Sequence, residues 1–152
     1  MSSDGDDGEG FGRREVLRAA ALAGWLLPRG AKADEVAPPD VARLLAGRTP
    51  GAERIRIDLQ AAVEDGSSVP ITLEAPSAME AADRVVWLQL VAPANPEPVI
   101  LRCTFTALSG RARVATRIRL AGSQTVWAVG ETGKGDVFLG SAPVTVSVGG
   151  CG

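Results

Sequence analysis

Residues 112–120 read Ala112-Arg113-Val114-Ala115-Thr116-Arg117-Ile118-Arg119-Leu120. Val114, Thr116, Ile118 and Leu120 alternate with Arg113, Arg117 and Arg119. A period of two puts one set of side chains on a buried face and the other in water, which is a β-strand. The same alternation appears upstream, where Ile55, Ile57 and Leu59 interleave with Arg54, Arg56 and Asp58. The turns between such runs are marked by composition. Asp65-Gly66-Ser67-Ser68 precedes a strand at Val69, Ile71 and Leu73 that ends at Pro76. Arg84–Val91 is a further strand, mostly apolar, and Pro93-Ala94-Asn95-Pro96-Glu97-Pro98 is the loop after it. Val99–Phe105 and Thr125–Val129 are strands, with Ser109-Gly110 and Glu131–Gly135 as turns. Asp136–Val148 supplies one or two more strands, broken near Pro143. A short helix at Val41–Ala46 opens after Pro38-Pro39-Asp40 and stops at Gly47.

Seven or eight short strands near ten-residue spacing, with no helix between them, predict an all-β fold. We expect an antiparallel β-sandwich of immunoglobulin type, preceded by a short N-terminal helix. The spacing of two Cys around a Trp found in immunoglobulin domains is absent, so strand count carries this expectation. The 152 residues suit one domain, and 18 Gly with 10 Pro suit many turns. Trp87 and Trp127 lie in apolar strand runs and are expected in the core.

Composition excludes several chemistries. The chain has no His, so it holds no Ser-His-Asp triad, His-activated Cys or His-ligated metal. Its 16 basic and 18 acidic residues give a net charge of -2, which argues against a nucleic-acid-binding face. Two Cys do not make a four-thiolate zinc site, and Asp58, Glu64 and Asp65 have no metal-ligand spacing. We expect no metal, no cofactor and no catalytic acid or base.

Residues 1–33 read as a twin-arginine export signal. An acidic, Gly-rich start leads to Arg13 and Arg14, then to a short apolar run at Ala19–Leu27 and a small-x-small site at Ala31-Lys32-Ala33. The usual pattern has Ser or Thr before the pair and Phe two residues after it; here those places hold Gly12 and Val16. Nine apolar residues are too few for a permanent membrane span. The expected organisation is a signal peptide at 1–33, a sandwich at 34–148 and a flexible carrier arm at 149–152, in a periplasmic protein.

The last predicted strand runs into Gly149-Gly150-Cys151-Gly152. Glycine has no side chain to bury and costs the most entropy to order, so only the thiol has chemistry to offer. Gly149, Gly150 and Gly152 read as the hinge of an arm, and Cys151 as its attachment atom. No basic residue follows Lys134, so the thiol has no local activator and its reactivity is expected to come from partners. Cys103 lies on an apolar strand face with Leu101 and Phe105 and reads as a small buried hydrophobe.

With those residues in hand, the chain resembles the SoxY family of sulfur-oxidation carriers. The matching stretches are Leu45-Ala46-Gly47 through Pro50, Glu64-Asp65-Gly66 with Val69-Pro70, and Asn95-Pro96-Glu97-Pro98. Further ones are Thr116–Ala121 with Gln124-Thr125-Val126, and the terminal Val148-Gly149-Gly150-Cys151-Gly152. The family tail usually has one more Gly. The resemblance implies periplasmic thiosulfate oxidation, with the sulfur cargo carried on Cys151 as a thiosulfonate or persulfide-type adduct. It implies a heterodimer with a SoxZ-like partner. It also implies three enzymes acting on the carrier: a haem-containing thiosulfate-conjugating enzyme, a thiosulfohydrolase and a sulfane dehydrogenase. Arg113, Arg117 and Arg119 are either a solvated sheet face or a docking surface for one of these partners. Two other readings stay open: a structural or adhesive immunoglobulin-like subunit, and a SoxY-like thiol carrier in another periplasmic pathway.

Overall fold

A computed structural model describes residues 36–51 and 54–148. The expected signal peptide with Arg13 and Arg14, and the arm residues 149–152 with Cys151, lie outside the described residues. Helix α1 spans Pro39–Leu45. The strands are β1 (Arg56–Leu59), β2 (Ala62–Asp65), β3 (Val69–Ala75), β4 (Val85–Val91), β5 (Val99–Thr104), β6 (Ala112–Ile118), β7 (Gln124–Thr132) and β8 (Val137–Val148). One 3-10 turn, Ala107–Ser109, precedes β6. Two sheets result, one ordered β1-β3-β6 and the other β2-β8-β7-β4-β5. The all-β sandwich expected from strand count is the observed architecture.

The alternating strands form the smaller sheet. In β3, Val69, Ile71, Leu73 and Ala75 point inward and are buried, while Pro70, Thr72 and Glu74 face out. In the larger sheet β4 and β7 are apolar on both faces, because each face is covered. Leu88, Leu90, Val126, Ala128 and Phe138 meet the small sheet in the main core. Val91, Trp127, Val129 and Val137 form a second cluster with Val41 and Leu45 of α1. Trp127 is therefore buried as expected, but under the helix rather than between the sheets. Trp87 is half-buried on the same face, with the Arg102 guanidinium 4.4 Å over its ring.

Helix α1 ends where Ala46 turns left-handed (φ 50°) and Gly47 follows at φ 75°. Arg48 then pins this end to the β7–β8 hairpin. Its Nη1 donates to Glu131 Oε2 and to the Gly135 carbonyl, each at 3.1 Å.

Two features depart from the sequence reading in detail. β2 falls in a stretch that alternation did not mark, and it pairs with β8 in parallel, so the sandwich is not wholly antiparallel. Residues 137–148 form one continuous strand through Pro143. Pro143 is tolerated because Thr145, two residues on, points its N–H at the Ala61 carbonyl (2.9 Å). By alternation the Pro143 nitrogen faces that same edge, before the β2 ladder begins at Ala62↔Thr145.

Candidate functional site

Strand β8 changes neighbours along its length. From Val137 to Val144 it pairs with β7, the last register pair being Gln124↔Val144. From Thr145 to Val148 it pairs with β2 instead. Over that last stretch Ser123 takes the place of the departed β7: Val146 N–H donates to Ser123 Oγ (2.8 Å), and the hydroxyl donates to the Val146 carbonyl (3.3 Å).

Two loops meet the end of β8, and a third is tied to one of them. The Gly66 N–H donates to the Val148 carbonyl, and the Leu120 N–H donates to the Gly66 carbonyl, each at 2.8 Å. The turn holding Gly66 is itself braced, since Asp65 Oδ1 and Oδ2 accept from the N–H (2.7 Å) and hydroxyl (2.8 Å) of Ser67. Those two bonds, the backbone one first, hold the Asp65 carboxyl below its ordinary value. Arg117 Nη1 donates to the Ser68 carbonyl at 3.3 Å.

Asn95 ties the proline-rich loop to the loop after β6. Its Oδ1 accepts from Ala121 N–H (2.9 Å) and Gln124 Nε2 (3.1 Å), and its Nδ2 donates to the Arg119 carbonyl (2.8 Å). Gln124 Oε1 accepts in turn from Ala94 N–H at 2.9 Å. These loops lack a ladder of their own, and side-chain amides supply the missing partners. The result is a braced collar beside Val148, a residue that is 64% exposed. Cys151 is three residues further, a span of at most about 10 Å.

The three arginines alternate along β6 and just past it, and lie at different heights on it. Arg113 lies near the start of the edge strand β6, opposite Glu74, with its Nε 3.7 Å from the carboxylate and both side chains well exposed. Such a pair contributes about 0–1 kcal/mol. Arg117 and Arg119 lie at the collar end of the sandwich. Arg119 is exposed and has no ion pair among the described residues. The collar amides Asn95 and Gln124 were not singled out by charge or periodicity. Their only sequence signal was that Asn95-Pro96-Glu97-Pro98 and Gln124-Thr125-Val126 were family-like stretches.

Cys103 is half-buried on β5 and packs against the main core. Edge-strand position keeps it from full burial, and desolvation pushes its thiol pKa up. It pairs across the sheet with Leu88, which pairs with Gly130, which pairs with Phe138. Phe138 precedes Val148 by ten positions on one strand, about 33 Å at roughly 3.3 Å per residue. A three-residue tether does not cover that distance. Cys103 and Cys151 of one chain therefore cannot pair while the sheet is intact.

Among the described residues no group of three or more His, Cys, Asp or Glu is placed to hold a metal ion. No helix among them is long and apolar enough to cross a membrane.

The fold and its braced end define a β-sandwich built around the exit of its last strand. The family described as "Sulfur oxidation protein SoxY" matches residues 41–151, from α1 to the tail cysteine. The chain belongs to this family, whose members serve the Sox system of sulfur oxidation as carriers rather than as enzymes. No curated protein matches it. Among solved structures it is similar to a superoxide reductase (neelaredoxin) from Ignicoccus hospitalis. That match has 16% identity and a TM-score of 0.55, covering 71% of this chain and 91% of that one. A putative superoxide reductase from Thermotoga maritima gives 16% identity and a TM-score of 0.52, over 62% and 86% of the two chains. One from Nanoarchaeum equitans gives 14% and 0.51, over 60% and 92%. At such identity the likeness shows the sandwich alone.

Proposed function

We propose that this chain is a covalent carrier of sulfur intermediates in thiosulfate or sulfur oxidation, with the cargo bound to Cys151. The supporting observation is that the family match runs through Cys151, while the strand leading to it is braced up to Val148. A thiol on a short Gly-rich tether from a rigid body suits cargo that must visit several active sites without diffusing away.

The chemistry follows the family resemblance. A haem enzyme removes two electrons as the Cys151 thiol and thiosulfate join, forming the S–S bond of an S-thiosulfonate and releasing one proton. A thiosulfohydrolase then adds water to the terminal sulfone. Sulfate leaves with two protons, and a persulfide remains on the cysteine. A sulfane dehydrogenase acts on the sulfur left behind. The carrier supplies the attachment atom and the docking surface, and its partners supply the catalysis of these steps. The protein works in the periplasm beside a SoxZ-like partner, exported by the Arg13-Arg14 signal as a folded pair.

Intact mass of protein purified from thiosulfate-grown cells tests this. An adduct on the C-terminal peptide is expected in wild type and in Cys103→Ser, and none in Cys151→Ser, which should also stop thiosulfate oxidation. A Cys151→Ser strain that oxidises thiosulfate normally would sink the reading and leave an adhesive or structural subunit.

A further inference from the structure

We propose that the enzymes that process the cargo recognise this chain through the collar beside Val148, with a rim group of negative charge set against Arg119. This rests on the carrier reading above and names the surface that the carrier presents.

Reach makes the first argument. Val148 is hydrogen-bonded to Gly66 and so belongs to the rigid body. Three residues separate it from Cys151, about 10 Å at full extension. An enzyme that takes the cysteine into a recessed site must bring the mouth of that recess to within the same distance of Val148. Whatever the cargo, the rim then lies on the residues surrounding the strand end. Those are the Ser67-Ser68 turn, which follows Gly66, and the loop from Arg119 to Ser123.

Rigidity makes the second. Loops held only by turns would lose conformational entropy each time a partner docked. Here Asn95 and Gln124 bond the proline-rich loop to the loop after β6, and Gly66 bonds that loop to β8. The surface is organised before a partner arrives.

Surface chemistry makes the third. Val148 is an exposed apolar residue bonded to Gly66, next to the exposed Ser67 and Ser68, so a partner meets one apolar contact beside polar ones. Of the two arginines at this end, Arg117 is engaged with Ser68. Arg119 is the one whose side chain has no described partner and can take an acidic group from outside. Arg113, opposite Glu74 at the other end of β6, lies off this surface and serves as the control.

The test separates docking from chemistry. Full-length protein with its bound partner is loaded with tetrathionate, a small reagent that needs no docking. The Cys151 thiolate attacks one of the central sulfurs, an S–S bond breaks, thiosulfate leaves, and the S-thiosulfonate remains. Sulfate release by a thiosulfohydrolase is then followed for wild type, Arg119→Glu, Val148→Asp and Arg113→Glu. All four should load at the same rate. Arg119→Glu and Val148→Asp should lower kcat/KM about tenfold or more, and for Arg119→Glu the loss should shrink as salt rises. Arg113→Glu should stay within about twofold. Both collar sites are exposed, so the variants should fold, and equal loading rates check that the tail chemistry is intact. If the collar variants are processed like wild type, or Arg113→Glu falls as far as they do, the collar is not the docking surface. If wild type forms no adduct at Cys151, or an adduct that the hydrolase never consumes, the carrier reading itself fails and this inference goes with it.

Discussion

The two halves of β8 are one strand by geometry and two by environment. Residues 137–144 lie against β7, and Phe138, Gly140 and Val144 are sealed inside the sandwich. Residues 145–148 have left β7 and rest on the four-residue edge strand β2 and one serine hydroxyl; only Val146 among them is half-buried. The first half holds the fold together. The second half transfers that rigidity to the point where the tail begins, at low local stability. A carrier needs both: a body that does not deform when an enzyme docks, and a held point from which the tail starts.

The contrast is broken most strongly from the first half. Gly130 lies opposite Phe138 in the β7–β8 ladder. A Cβ built there would come within 2.4 Å of the Phe138 ring and 2.7 Å of Leu88 Cδ2. Both neighbours are buried, so neither side chain has room to swing away. Alanine gains up to about 1 kcal/mol in backbone entropy over glycine, against overpacking of about 1–3 kcal/mol or more. Overpacking should win. Gly130→Ala should lower unfolding stability by about 2 kcal/mol in denaturant titration. An equivalent change in the second half should not approach that loss.

Ser123→Ala sharpens the contrast from the other side. It removes the acceptor for Val146 N–H and the donor to the Val146 carbonyl, at a site where water can partly substitute. The global loss should be about 1 kcal/mol or less. The local effect should be larger than the global one: amide exchange at residues 145–148 should speed up about fivefold, while Val126–Val129 stay protected. Uniform acceleration along β8 would show a single cooperative strand and remove the distinction.

The same division explains what the sequence could reveal. The smaller sheet was legible because its strands are buried on one face, so polar and apolar residues alternate through Ile55–Leu59, Val69–Ala75 and Ala112–Leu120. The central strands of the larger sheet were legible as apolar runs, but not that α1 covers their second face. β2 was missed because Ala62, Glu64 and Asp65 at a parallel edge bury little, so hydrophobicity carries no period there. Pro143 was read as a break because proline removes an N–H; in the fold it precedes the exchange of β7 for β2. The reading of Gly149–Gly152 as an arm rests on sequence, where glycine around cysteine has no packing explanation, and that stretch lies outside the described residues. The collar was not legible, because its amides are joined across 24 to 30 positions of sequence, and no local pattern encodes which loop an Asn will reach. The three arginines alternate along β6 and just past it, so Arg113 near the start of the strand lies apart from Arg117 and Arg119 near its end.

The smallest expected effect concerns Asp65, beside the arm exit and fully exposed. Its carboxyl is held down by Ser67, first through the backbone N–H and then through the hydroxyl. A carboxyl whose folded pKa is depressed stabilises the fold above its unfolded value, near 3.9, and loses that contribution as pH falls through the folded pKa. At neutral pH the turn therefore keeps its brace, and loosening belongs only to strongly acidic solution. Ser67→Ala deletes the hydroxyl but keeps the N–H. The Asp65 carboxyl carbon, followed by NMR against pH, should then titrate higher than in wild type yet still below an ordinary aspartate, with the unfolding midpoint at pH 7 unchanged within error. A full return to the ordinary value would mean that the hydroxyl alone orders the turn. The bond from Gly66 to Val148 would then depend on a single serine side chain at each side of β8, Ser67 on one and Ser123 on the other.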